Sequence, residues 1–201
     1  MFDSFIREAK ERIQEPIANQ LAYIHPTMIT VLAFAVGIVG AILIIEQHYF
    51  AGMIFWLLNR ILDGFDGTVA RVHQKQSDLG GYIDILLDFA IYAIIPIALV
   101  IAAPSQSKYL ALAFLLSTFY INSASWMYLS GILEKRQHTQ ARDKFTSVNM
   151  PSGLVGGTET VIFYCLFIVA PQMLTLWYVC MGILVLFTVA QRLVWAVQHL
   201  D

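Results

Sequence analysis

The sequence predicts an all-α, polytopic integral membrane protein, with six transmembrane helices behind an N-terminal amphipathic helix on the membrane surface. Three observations predict it. Of 201 residues, 58% are hydrophobic and 13% charged, and the mean hydropathy is +0.67, so the bilayer is the expected solvent. The apolar residues fall in six long runs with no convincing strand between them. The basic residues gather in alternate links, as in a chain threaded back and forth through a membrane.

Residues 1–24 form the first element. Phe2, Phe5, Ile6, Ile13, Ile17 and Leu21 recur at helical spacing among acids and bases, with no uninterrupted apolar core before a small-residue cleavage site. An interfacial amphipathic helix fits this pattern better than a cleavable signal peptide; a frayed tail is the alternative. Pro16 is expected to kink or divide the helix.

Residues 25–201 read as one six-helix domain without a separating linker. The apolar runs are Met28–Ile45, Phe50–Leu62, Ile83–Ala103, Tyr109–Leu133, Leu154–Ala170 and Met173–Val197. A span needs roughly 20 apolar residues, so the second must continue through Asp63–Arg71 if it crosses. Arg7, Lys10 and Arg12 precede the first span. Arg71 and Lys75 link the second and third, Lys135, Arg136, Arg142 and Lys144 link the fourth and fifth, and Arg192 lies near the C-terminus. The opposite links carry only Lys108, which places both termini in the cytoplasm of a multi-pass cell-membrane protein.

Cys165 and Cys180 each lie in an apolar run without metal-ligand spacing, so neither a disulfide framework nor a zinc site is expected. The basic residues are divided among links and form no continuous patch for nucleic acid.

Chemistry concentrates between the second and third spans, where Asp63, Asp66, Asp84 and Asp88 interrupt the apolar sequence. An ionised carboxylate in hydrocarbon is costly and marks function by default. Asp63 and Asp66 are three residues apart and Asp84 and Asp88 four apart, so each pair shares a helical face. Counted outward from a turn near Lys75, Asp66 and Asp84 are each nine residues away, Asp63 twelve and Asp88 thirteen. Antiparallel helices would stack them in two tiers about 5 Å apart. Such carboxylates can converge on a pair of divalent ions about 3.5–4 Å apart, and oxygen-only ligands suit Mg²⁺ or Mn²⁺. Gly67 and Ala70 leave the helix face bare for a ligand. Gly80 and Gly81 allow the third helix to approach the second, with plain tight packing as the alternative. Arg71 can offer a planar fork to a phosphate or serve as an interfacial positive charge.

These residues form the pattern D-x2-D-G-x2-A-R-x8-G-x3-D-x3-D, filled by Asp63, Asp66, Gly67, Ala70, Arg71, Gly80, Asp84 and Asp88. The chain thereby resembles the CDP-alcohol phosphotransferase family of phospholipid synthesis. The six spans and surface helix resemble the family's architecture. A weaker similarity lies at His25–Thr30, where Thr27 stands in place of the family's usual Asn, with an ordinary proline helix start as the alternative. The resemblance implies that a CDP-alcohol, usually CDP-diacylglycerol, reacts with a small acceptor alcohol to give a phosphodiester and CMP. It implies that Asp63, Asp66 and Asp84 bind two Mg²⁺ or Mn²⁺ ions with Asp88, which is also the general base. It further implies that Gly67, Ala70 and Arg71 contact the CDP moiety and that the protein is a homodimer; the charge bias puts the active site, among membrane lipids, on the cytoplasmic side.

The acceptor is less legible. Lys135, Arg136, Arg142 and Lys144 either recognise a phosphate on it or satisfy the positive-inside bias. Asn122, Ser123 and Ser125 either line a cavity or bridge helices. Glu159, between Thr158 and Thr160, either bonds a polyol or cationic acceptor or pairs with Arg142 or Lys144. Arg60 either pairs with the acids or snorkels to the far interface. Two other classes compete with the transferase: a divalent-cation transporter, since intramembrane acids mark ion paths, and an inactive lipid-binding scaffold.

Overall fold

The computed structural model describes residues 14–140 and 153–200, without the side chains of 137–140. A short helical segment at 14–21 is followed by six helices: α1 (Pro26–Ile45), α2 (Tyr49–Val72), α3 (Asp78–Ala102), α4 (Gln106–Gln140), α5 (Gly157–Val169) and α6 (Leu174–Leu200). There is no strand among the described residues. Most of the expected surface helix, residues 1–13, lies outside the described residues. Pro16 falls inside a helical turn at 14–18 rather than ending it.

Local chemistry sets most boundaries. Pro26 occupies the first turn of α1, where its missing N–H costs nothing, and His25 Nδ1 accepts from the Thr27 N–H at 3.4 Å. The links to α2 and α3 turn at Gln47 and Gln74, both with positive φ. The Ser77 hydroxyl caps α3 by accepting from the Gly80 N–H at 3.1 Å, with Asp78 in the favourable first turn. Pro171 follows the end of α5, where it discourages continuation. α2 runs unbroken through Asp63–Arg71, as a span there requires.

Among the described residues four helices, α1, α3, α4 and α6, are long and apolar enough to cross a membrane. The 13 residues of α5 cover only about 20 Å, and α2 carries Arg60, Asp63, Asp66 and Arg71 from its midpoint onward. Large apolar side chains point outward along the bundle, among them Met28, Leu32, Leu193 and Val194. In a multi-pass membrane protein these face lipid.

Glycines set the closest helix approaches. A Cβ on Gly52 of α2 would stand 2.6 Å from Ile44 Cγ1 of α1, and one on Gly37 of α1 would stand 2.6 Å from Ile91 Cδ1 of α3. On α6, a Cβ at Gly182 would stand 2.5 Å from the Phe114 ring of α4. The closely packed pairs are therefore α1 with α2, α1 with α3, and α4 with α6, whereas α2 and α3 approach each other in few places. This corrects the expectation that Gly80 and Gly81 bring α2 and α3 together. A Cβ on Gly80 would meet the capping Ser77 Oγ at 2.9 Å, and one on Gly81 would meet nothing. The gap between α2 and α3 is a cavity.

An aromatic core joins the halves. Trp56 stacks on Tyr164 at 4.8 Å, and Tyr92 meets both edge-on. Pro96 lies inside α3 and has no N–H for the Tyr92 carbonyl. The Tyr164 hydroxyl donates to that carbonyl at 2.5 Å, and the Tyr178 hydroxyl donates to the Pro96 carbonyl at 2.8 Å. Both carbonyls are thus bonded where no water is at hand.

Candidate active site

Between α1, α2 and α3 lies a cavity of about 230 Å³. Asp66, Gly67, Ala70 and Arg71 border it from α2, Gly80, Gly81 and Asp84 from α3, and Pro26, Thr27 and Thr30 from α1. The link contributes Lys75, Gln76 and Ser77. Every motif residue except Asp63 and Asp88 thus borders one space, and Gly81 borders it too. Glycine at 81 leaves that space open, so tight packing does not account for it.

Asp63 and Asp88 form the inner tier. They border a narrow crevice with Thr30, Asn59 and Arg60, which holds no water-sized space. Arg60 sits between the acids, with Nη2 2.8 Å from Asp88 Oδ1 and Nη1 3.6 Å from Asp63 Oδ2. Of the two readings of Arg60, pairing with the acids is the one observed; it does not snorkel away. Two tiers are present, as the spacing predicts.

The outer tier is held differently. The Thr30 hydroxyl donates to Asp66 Oδ2 at 2.5 Å, and both residues are buried. Asp84 Oδ1 is buried and has no hydrogen-bond partner among the described residues. A buried, unsatisfied carboxylate oxygen on a cavity wall is a ready ligand for a hard cation. No three His, Cys, Asp or Glu side chains among the described residues stand close enough to hold an ion together. The all-carboxylate donors fit Mg²⁺ or Mn²⁺ in kind.

Arg71 Nη2 donates to the Thr68 hydroxyl at 3.3 Å, which also meets the buried Gln14 Oε1 at 3.0 Å. Lys75 Nζ donates to the Ala22 carbonyl, and His73 Nε2 lies 2.8 Å from the Ala18 carbonyl. The described part of the N-terminal segment therefore docks on the end of α2 that carries Arg71.

A second cavity, about 500 Å³, lies on the other side of α3, against α4, α5 and α6. Its polar border includes Asn122, Ser123 and Thr160, and its apolar border includes Phe89 and Phe119. Asn122 both borders it and bridges helices. Arg192 Nη1 donates to the Asn122 Oδ1 at 3.1 Å and to the Ser125 hydroxyl at 3.3 Å. Arg192 is buried between α4 and α6, a correction to its reading as a terminal topology charge. Glu159 accepts from the Gly156 N–H at 3.0 Å and so caps α5. Its expected partners, Arg142 and Lys144, lie outside the described residues. Arg136 donates to the His199 and Leu200 carbonyls at the end of α6. Cys165 and Cys180 are free and partly buried.

Sequence reasoning missed Thr30 as a partner of Asp66 and Asn59 as a support for Arg60. The small similarity at His25–Thr30 was the available signal for Thr30; nothing local marked Asn59.

The sequence model of the CDP-alcohol phosphatidyltransferase family matches residues 23–190. The inner membrane protein YnjF of Escherichia coli is 35% identical over 147 residues, which cover 72% of this chain and 70% of that protein. The bifunctional IPC transferase and DIPP synthase of Thermococcus kodakarensis is 36% identical over 88 residues, covering 43% of this chain and 20% of that protein. The fold resembles that of Mycobacterium tuberculosis phosphatidylinositol phosphate synthase in its crystal structure with CDP-DAG bound. The TM-score is 0.70 at 20% identity, covering 90% of this chain and 92% of that one. A crystal structure of the same enzyme with manganese and citrate aligns with a TM-score of 0.66, also at 20% identity, over 90% of this chain and 87% of that one. With six of the eight motif residues around one cavity in a matching helical fold, this chain belongs to the CDP-alcohol phosphatidyltransferase family and is a membrane transferase of substituted phosphate groups.

Proposed function

We propose that the protein transfers a phosphatidyl group from CDP-diacylglycerol to a small acceptor alcohol and releases CMP. The observation that carries this reading is the meeting of Asp66, Gly67, Ala70, Arg71, Gly80 and Asp84 around one cavity. The manganese-bound and CDP-DAG-bound structures of the mycobacterial relative support it by analogy.

Asp63, Asp66 and Asp84, with Asp88, are the residues that would hold two Mg²⁺ or Mn²⁺ ions. When bound, such a pair stabilises charge on the attacking and leaving oxygens. Gly67 and Ala70 let the cytidine and phosphates lie close to α2, and Arg71 offers its fork to the phosphates. Thr30 fixes one oxygen of Asp66. Asp88 takes the proton of the acceptor hydroxyl as that oxygen bonds to the lipid-bearing phosphorus. The bond from this phosphorus to the bridging oxygen breaks, and the electron pair leaves with CMP.

The second cavity, with Asn122, Ser123 and Thr160, is the proposed approach for the acceptor. Its wall residues Phe89 and Tyr92 lie next to Asp88 and in contact with Arg60, respectively. Positive-inside bias orients the Arg71–Lys75 link, both termini and the site toward the cytoplasm. The assembly on this reading is a homodimer.

The test is CMP release in mixed micelles of CDP-diacylglycerol with Mn²⁺ or Mg²⁺, across glycerol 3-phosphate, inositol, inositol phosphate, serine and choline. One acceptor is expected to give metal-dependent release that Asp88→Asn reduces by about 10²–10⁴-fold. Release that is independent of metal, or retained by Asp88→Asn, would contradict the proposal.

A further inference from the structure

Arg60 is held more completely than an ion pair requires. Its Nε donates to Asn59 Oδ1 at 2.8 Å, Nη1 to the Tyr92 hydroxyl at 2.9 Å, and Nη2 lies 2.8 Å from Asp88 Oδ1. The guanidinium carbon sits 4.9 Å from the ring centroids of both Trp56 and Tyr92. These neighbours are themselves fixed. Asn59 Nδ2 donates to the Ala33 carbonyl of α1 at 2.8 Å, and Trp56 and Tyr92 both pack on Tyr164 of α5. Four helices therefore set the plane and direction of one guanidinium, whose side chain is 9% exposed.

A point charge that merely offset the acids would not need this cradle. Two aromatic faces and two directed hydrogen bonds, from Nε and Nη1, hold the plane of the fork and leave Nη2 in charge contact with Asp88 Oδ1, a cradle that suits a guanidinium better than an ammonium. The oxygen at the end of the fork belongs to Asp88, the proposed general base. A carboxylate on a rotatable side chain is an effective base only when held within reach of the proton it removes.

We propose that Arg60 is a positioning residue for the transfer reaction. It fixes the Asp88 carboxylate for proton removal and offsets the charge of Asp63 and Asp88. This rests on the reading of Asp88 as general base. Arg60 touches neither substrate in this account and acts through Asp88. Since it is a cation against two carboxylates, it also opposes the first metal ion that enters, so the site trades metal affinity for a correctly aimed base.

The experiment pairs steady-state kinetics with Mn²⁺ binding to the full-length protein, read by electron paramagnetic resonance with no donor or acceptor present. Arg60→Met is expected to lower kcat by about 100-fold, with the donor KM within about threefold. The same variant is expected to bind Mn²⁺ about tenfold more tightly, because a nearby positive charge has gone. Arg60→Lys keeps the charge and loses the fork. It should bind Mn²⁺ within about twofold of wild type and still lose about tenfold in kcat. Weaker Mn²⁺ binding in Arg60→Met, unchanged kcat in that variant, or full kcat in Arg60→Lys would each overturn the proposal. If Arg60→Met does not fold, Arg60→Lys decides alone on its kcat. A wild-type protein that releases no CMP with any acceptor would instead count against the transfer reaction itself, and the Mn²⁺ comparison would still report on Arg60.

Discussion

The cavity between α1, α2 and α3 is about 230 Å³ and bordered by Asp66, Arg71, Lys75 and Asp84, whereas the one against α4, α5 and α6 is about 500 Å³ and bordered largely by residues such as Phe89, Leu116, Phe119 and Met181. The smaller space is charged and the larger one mostly apolar, with α3 as their common wall. The first suits a strongly anionic ligand held by cations, and the second a ligand placed by shape and a few hydrogen bonds. A transferase that must bring two different molecules to one carboxylate gains from such unequal chambers.

Substitutions can break that division, beginning with the largest effect. Asp84→Asn removes a charge from the smaller cavity at an oxygen that no group among the described residues satisfies. It should cut CMP release by at least about 100-fold, since a metal pair is worth several kcal/mol, with an unchanged circular-dichroism spectrum. Thr30→Val should lower turnover about tenfold, because a hydrogen bond to a charged group is worth about 1.5–3 kcal/mol. The steepness of the Mn²⁺ activation curve is the readout that separates this from general damage.

On the other side of α3 the effects should fall on stability or acceptor use. Tyr164→Phe strands the Tyr92 carbonyl that Pro96 leaves without a helix partner. It should lower stability by about 1–3 kcal/mol, measured by thermal denaturation in detergent, while donor KM stays unchanged. Glu159→Gln should be mildest, at about 0.3–1 kcal/mol for losing charge at a helix N-terminus. A change in acceptor preference in that variant would mean that Glu159 does more than cap α5.

Legibility follows the same division. Asp63 through Asp88 are contiguous in sequence, so helical spacing alone put the acids on facing surfaces in two tiers, and α2 runs through Asp63–Arg71 as expected. The second cavity draws one or a few common residues from each of four helices, and no local spacing records which of them will meet. Thr30 lies 36 residues from Asp66, and Asn122 lies 70 from Arg192. These pairings depend on helix rotation, which the apolar faces leave open in a chain where lipid and core are both hydrophobic. Gly80 and Gly81 show the opposite error. Glycine next to a helix start suggested close packing, yet the bare backbone at Gly81 faces open space.

The most direct test of the division is Mn²⁺-dependent binding of CDP at equilibrium to wild type, Gly81→Leu and Ser123→Leu. Gly81 borders the smaller cavity and its added Cβ meets no neighbour, so leucine there should fill the space without disturbing the fold. The account predicts that Gly81→Leu weakens CDP binding by at least about tenfold, or 1.4 kcal/mol, while Ser123→Leu changes it by less than about twofold. CDP binding that survives Gly81→Leu but is lost in Ser123→Leu would place the nucleotide on the other side of α3 and contradict the account.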